Sequence, residues 1–176
     1  MFKQVLMMGA LTLSLCACGG QKTRETVALD PLVVPASAPW ISVEPTQGDL
    51  QVRGIDEKVI LSPSRPVSEV LQAQLRSALQ SAYMSNLTVA CEHVKTDMRV
   101  KHADDAPSIA TLDVSMHCTT NARGFVTRSD LHSQPSAPVS AQTDYSKLFV
   151  SLLDEASKEM IGKVQADIDA SKSNLK

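Results

Sequence analysis

The chain has 176 residues, of which 43% are hydrophobic, 20% charged and only 3% aromatic, with a formal net charge of -2. That is enough for one domain of ordinary size, and without a basic block the chain is a poor partner for nucleic acid or for anionic membrane surfaces, which need clustered cations. So few aromatic rings exclude stacking platforms for bases or sugars and leave an aliphatic core.

The N-terminus carries Lys3, an apolar stretch from Val5 to Leu15, and the run Leu15-Cys16-Ala17-Cys18-Gly19. These are the parts of a secretory signal, too short for a permanent membrane span, which takes about 20 apolar residues. A bacterial lipoprotein peptidase cuts before a cysteine that follows a small residue and lies three positions after an aliphatic one. Cys18 meets both demands through Ala17 and Leu15, whereas bulky Leu15 would precede a cut at Cys16. Residues 1–17 are therefore expected to leave as a signal peptide and Cys18 to become the acylated N-terminus. At about 0.8 kcal/mol per buried CH₂, more than one acyl chain anchors stably. Gly19, in place of an aspartate after the modified cysteine, favours the periplasmic face of the outer membrane.

Residues 18–26 are polar and glycine-led and read as a flexible tether; a single domain is expected over residues 27–168 and a polar, frayed tail over residues 169–176. Val27, Leu29 and Val33 alternate around Pro31 as an edge strand would. Pro35 to Pro39 reads as a turn, Trp40 to Val43 as a strand, and residues 48–54 as a loop around a short strand at Leu50 and Val52. From Pro66 to Met84, Val67, Val70, Leu71, Leu75, Ala78, Leu79 and Ala82 recur at helical spacing. Ser64 is the expected N-cap, with Pro66 in the first turn and Glu69 near the positive end of the dipole; Gln72, Arg76 and Gln80 form a polar face expected in solvent. Strands are expected over residues 87–100 and 109–120, joined by the turn formers of 103–108, and a third over 125–132 after Asn121-Ala122-Arg123-Gly124. Residues 133–142 read as a loop or irregular edge. A last helix begins near Thr143 or Asp144 and carries Tyr145, Leu148, Phe149, Leu152, Leu153, Ala156 and Met160 on one face. The expected architecture is an α+β two-layer sandwich with both helices on one face of a mainly antiparallel sheet.

Two cysteines remain in the domain. In a hairpin about residues 103–108, positions whose numbers sum to about 209 face each other, a condition that Cys91 and Cys118 meet. In an oxidising compartment this predicts a structural Cys91–Cys118 disulfide. The apolar pattern adds a complication. Ala110, Leu112, Val114, Met116 and Cys118 share one face, but the first strand switches from Leu87, Val89 and Cys91 to Val94, Met98 and Val100. One extra residue between Cys91 and Val94, a β-bulge, reconciles the two, with pairs nearer the turn summing to 210.

Candidate chemistry is sparse. His93 near Cys91 and His117 beside Cys118 offer zinc-type ligands, but strand alternation sends His117 and Cys118 to opposite faces, so no metal and no cofactor is expected. Nucleophile motifs such as Gly-Xaa-Ser-Xaa-Gly are missing. Asp104 and Asp105 read as turn polarity rather than paired catalytic carboxylates, and His102 and His132 as surface residues. Trp40 reads as core rather than as a partner anchor.

Several ordered pieces resemble the YajG-type family of small enterobacterial outer-membrane lipoproteins: Thr26-Val27-Ala28-Leu29-Asp30-Pro31 followed by Pro35; Leu61-Ser62-Pro63-Ser64-Arg65 opening a helix with Val70-Leu71; the strand meander; and a final helix built on Leu148, Leu152 and Leu153. The chain departs from that family by Cys91 and Cys118, and by Gln47-Gly48-Asp49 in place of an Asp-Xaa-Arg element. The resemblance implies an envelope location and an α/β lipoprotein fold and supplies no activity. The expectation is a non-enzymatic, lipid-anchored protein that binds an envelope protein partner; a lipid- or glycan-binding accessory lipoprotein is the alternative. An apolar groove on the open face of the sheet would favour lipid, and a flat polar face a protein.

Overall fold

A computed structural model describes residues 22–46, 48–103 and 106–173. The signal segment, Cys18, Asp104, Asp105 and the last three residues lie outside the described residues. The spine is a long antiparallel hairpin, here β5 (Leu87–Ala103) and β6 (Ala106–Ala122), each of 17 residues. At about 3.3 Å per residue it extends roughly 50 Å. Its strands run further toward the turn than the composition of 103–108 suggests, since Ala103 still pairs with Ala106. His102 helps hold this extension. Its Nε2 donates to Gly54 O at 2.7 Å, which leaves Nδ1 to accept from Ser108 Oγ at 2.8 Å.

Each edge of the hairpin is covered end to end by two short strands. Along β5 lie β2 (Ile41–Val43), opposite Val89 to Cys91, and the second half of β3 (Leu50–Arg53), opposite Met98 and Arg99; both run parallel to it. Along β6 lie β7 (Phe125–Ser133) and β8 (Ser136–Val139), both antiparallel. The first half of β3 pairs antiparallel with β4 (Lys58–Pro63), and β4 pairs in parallel with β1 (Lys22–Val27).

The sheet is therefore mixed, which corrects the mainly antiparallel expectation. Parallel neighbours need a crossover, and α1 (Val67–Leu79) lies in the crossover from β2 and β3 to β5. The sequence reading has Leu61 to Arg65 opening a helix and leaves residues 58–60 unassigned, whereas Lys58–Pro63 form β4. Three further expectations change. Residues 22–26, assigned to the tether, lie in β1. Residues 136–139, read as a loop or irregular edge, form a regular short strand on the edge of β6. α2 (Tyr145–Ser173) continues through the expected frayed tail, with Ser171 buried and its Oγ bonded to Asp167 O.

α1 ends in a 3-10 turn over Gln80–Ala82. Its apolar stripe is the expected one, with Val70, Leu71, Leu75 and Leu79 buried. Ser64 does not cap it. That hydroxyl instead accepts from Leu29 N at 3.0 Å and donates to Asp30 Oδ2 at 3.1 Å, tying the 3-10 turn Asp30–Leu32 to the end of β4. The polar residues of α1 are not simply solvated either. Gln72 Oε1 accepts from Val43 N at 2.9 Å and Arg76 Nε donates to Ile41 O at 2.9 Å, so two helix side chains satisfy the outer edge of β2 that no strand pairs.

α2 starts where the sequence places it. Asp144 Oδ1 accepts from Lys147 N at 3.0 Å and from Ser146 Oγ at 2.6 Å, which satisfies an orphan N–H of the first turn. These contacts hold the Asp144 carboxyl far below the ordinary carboxylate value, the Ser146 hydroxyl first and the Lys147 N–H next. With 29 residues α2 is about 44 Å long, close to the hairpin's own length. Phe149, Leu152, Leu153, Ala156, Met160, Val164 and Ile168 are all buried, as are Met98, Leu112, Val114 and Met116 of the hairpin. Burying each such side chain contributes about 1.5–3 kcal/mol. α2 crosses β6, β7 and β1, whereas α1 packs on α2 and β2. The two helices thus do not form the plain layer over one antiparallel face that was expected.

Candidate functional site

Alternation along β5 and β6 separates a core face from an open face. On the core face, Cys91 lies opposite Cys118 and the two are bonded, Sγ to Sγ 2.03 Å. The register from Leu87↔Ala122 to Glu92↔His117 sums to 209; it then shifts, and Lys95↔Ser115 to Lys101↔Ile109 sums to 210. That is the expected bulge. It centres on His93, whose φ is 55°. Cys18, the expected lipidation site, lies outside the described residues.

The open face is polar between exposed Ile109 and Val126, which stand at its two ends. Rows across β5, β6 and β7 read Ala90, Thr119 and Arg128; then Glu92, His117 and Asp130; then Lys95 or Asp97 beside Ser115, Asp113 and His132; then Arg99 beside Thr111. Charges of both signs alternate. Asp97 accepts from Arg53 and, at 2.5 Å, from Arg99, and Asp113 meets His132 at 2.9 Å and Gln134 at 2.8 Å. Burial pushes the Asp97 carboxyl up, but the hydrogen bonds from Arg53 and Arg99 outweigh it and the carboxyl ends below its ordinary value.

At the bulge both Glu92 and His93 are exposed, between buried Cys91 and Val94. Glu44, following β2, donates its N–H to Cys91 O at 2.8 Å and accepts from His93 N through Oε2 at 3.2 Å. One side-chain ligand atom each of Glu44, Glu92 and His93 lies within 4.8 Å of the others. His117 stands edge-on to His93, ring centroids 6.3 Å apart and planes at 89°, and its Nδ1 meets Asp130 Oδ1. Sequence reasoning tested His117 together with Cys118 and found them on opposite faces. An unbulged 210 register would also pair His93 with His117 but takes the cysteines out of register; the bulge that the apolar pattern requires keeps the cysteines paired and still brings His93 to the side where His117 points.

Away from this face, a hollow of about 680 Å³ lies between the start of α1, β3, β4 and α2, lined among others by Asp49, Ser64, Arg65, Thr96 and Phe149. Its charged rim is internally paired: Arg65 with Asp30 at 2.7 Å and Glu69 at 2.6 Å, and Asp49 with Arg24 at 2.9 Å. Trp40 is half-buried and packs on exposed Tyr83, ring centroids 6.0 Å apart. His102 serves the hairpin and Gly54, and His132 faces Asp113. Among the described residues no helix is long and apolar enough to cross a membrane.

No family model and no curated protein matches the chain. Solved structures do. A Xanthomonas campestris protein of the DUF330 family is similar at 14% identity and a TM-score of 0.50, over 86% of this chain and 99% of that one. A candidate lipoprotein from Caulobacter crescentus is similar at 14% identity and a TM-score of 0.45, over 78% of this chain and 93% of that one. A minor lipoprotein from Acinetobacter baumannii is similar at 13% identity and a TM-score of 0.41, over 76% and 95%. At such identities the likeness concerns the fold alone, and the first of these establishes that this α+β arrangement recurs in another bacterial protein.

Proposed function

We propose that the protein is a non-enzymatic lipoprotein, anchored through an acylated Cys18 in the outer membrane on its periplasmic face, that docks an envelope protein through the open face of the β5–β6–β7 sheet. The lipobox supports the anchor, and the ordered pieces shared with the YajG-type family support placing the chain near that group. The observation that carries the docking role is the open face itself, with its alternating rows of Lys, Arg, Asp, Ser, Thr and His. Such a face suits a protein surface of mixed charge, where complementary potentials set specificity; a lipid site would need an apolar groove. The anchor also constrains the geometry. Lys22 opens β1 only four residues after Cys18, so the chain between them reaches at most about 14 Å. The domain therefore rides close to the bilayer.

Two measurements test this reading. Mass spectrometry of the mature N-terminus is expected to show acylated Cys18, and a free unmodified amine there overturns the anchor. Photocrosslinking residues placed at Ser115 or Thr119 in intact cells are expected to capture an envelope protein that the same probe at Glu155, on α2, does not. Capture of lipid, or of nothing, from the open face overturns the docking role.

A further inference from the structure

We infer that the bulge in β5 builds a zinc-type divalent metal site from His93, His117, Glu92 and Glu44, with Asp130 as the residue that orients His117. In a regular strand, consecutive residues point to opposite faces. The extra residue at the bulge cancels that alternation and sets Glu92 and His93 on the open face together, while Cys91 and Val94 stay in the core. Glu44 is fixed beside them by its backbone N–H, which donates to Cys91 O, and by its Oε2, which accepts from His93 N. The pairing Glu92↔His117 supplies the fourth side chain from β6.

One observation beyond the acidic pair points to a cation. Asp130 takes Nδ1 of His117 and leaves Nε2 as its free ring nitrogen, the carboxylate–histidine arrangement that fixes the tautomer of a metal-bound imidazole. Ligand atoms about 2.0–2.1 Å from a tetrahedral ion are about 3.4 Å apart. The ligand atoms of exposed Glu44, Glu92 and His93, now within 4.8 Å of one another, reach that spacing by small rotamer changes, and His117, its ring centroid 6.3 Å from that of His93, reaches it by a larger one. Two imidazoles and two carboxylates favour Zn²⁺ over the hard cations Mg²⁺ and Ca²⁺, which take all-oxygen shells. The bound ion would clamp the loop after β2 to the hairpin and so bind the folded state alone.

The test uses the full chain, free of any histidine tag and stripped with chelator, titrated with zinc chloride in detergent. One equivalent is expected to bind and raise the melting temperature, as a ligand of the native state alone must, and a large excess of magnesium should not compete. His93→Ala and His117→Ala are each expected to weaken binding at least tenfold, and Asp130→Asn about tenfold. All three side chains are exposed, so the variants should keep the wild-type disulfide and circular dichroism; Glu92→Gln serves as a further variant should one of them not. Absence of binding, or binding unchanged in the His93 and His117 variants, overturns the site.

Discussion

Gly54 and Gly124 both adopt left-handed φ, +81° and +91°, for different reasons. A Cβ at Gly54 would stand 2.1 Å from Val100 O, whereas one at Gly124 meets nothing within 4 Å. Gly54→Ala therefore combines the left-handed penalty of about 1–2 kcal/mol with forced separation of the loop after β3 from β5. It is expected to destabilise by more than about 2 kcal/mol in urea unfolding, and Gly124→Ala by only about 1 kcal/mol; equal losses would refute the contact. Gly124 is legible in the sequence because Asn-Ala-Arg-Gly between two apolar runs is a hairpin signal, and Asn121 Oδ1 does accept from Gly124 N at 3.2 Å. Gly54 is not, since its neighbour lies on a strand 46 positions away. The bulge-site histidines show the same split: the sequence places His117 on the open face, but His93 joins it only through the irregular ladder.

The β5–β6 hairpin is the element that reads best from the chain, because its register depends on alternation and one turn, both local. The disulfide, the bulge and the shift from 209 to 210 all follow from two apolar strings that must face one core. By chain entropy, closing a loop of sequence separation 27 contributes roughly 3.5 kcal/mol. The double variant Cys91→Ala, Cys118→Ala is expected to lose about that much in urea unfolding while keeping its fold, and reductant should destabilise the wild type but not the variant. A wild type indifferent to reductant would refute the contribution. β1 and β8 are edge strands with polar or proline-containing sequences, half-exposed, whose strand character comes from the partner; β4 lies between β1 and β3 with Val59 and Leu61 buried, and its run is too short for periodicity alone to tell strand from helix.

At the scale of the whole molecule, Asp30, Asp97 and Asp144 all carry carboxyls held below their ordinary value. Hydrogen bonds from Arg65 and then Ser64 lower Asp30; at Asp97 burial is outweighed by Arg53 and Arg99; Ser146 and then the Lys147 N–H lower Asp144. A carboxyl with a folded pKa below its unfolded value of about 3.9 stabilises the fold above that value, and the contribution is lost as pH falls through the folded pKa. The melting temperature is thus expected to stay level from pH 7 to about pH 5 and to fall below about pH 4. Asp97→Asn should lower the plateau and flatten the fall, and a parallel downward shift with an unchanged acid limb would exclude Asp97 as a contributor. By itself the sequence determined the two amphipathic helices and the hairpin with its bulge and disulfide, since each rests on residues within one turn or one strand pair. The tertiary structure alone decided the parallel pairing of β2 and β3 with β5, the use of Gln72 and Arg76 to seal the edge of β2, and the meeting of Glu44 with His93. Those contacts join residues 29 to 49 positions apart, and no local periodicity encodes which of several free edges a crossover strand will find.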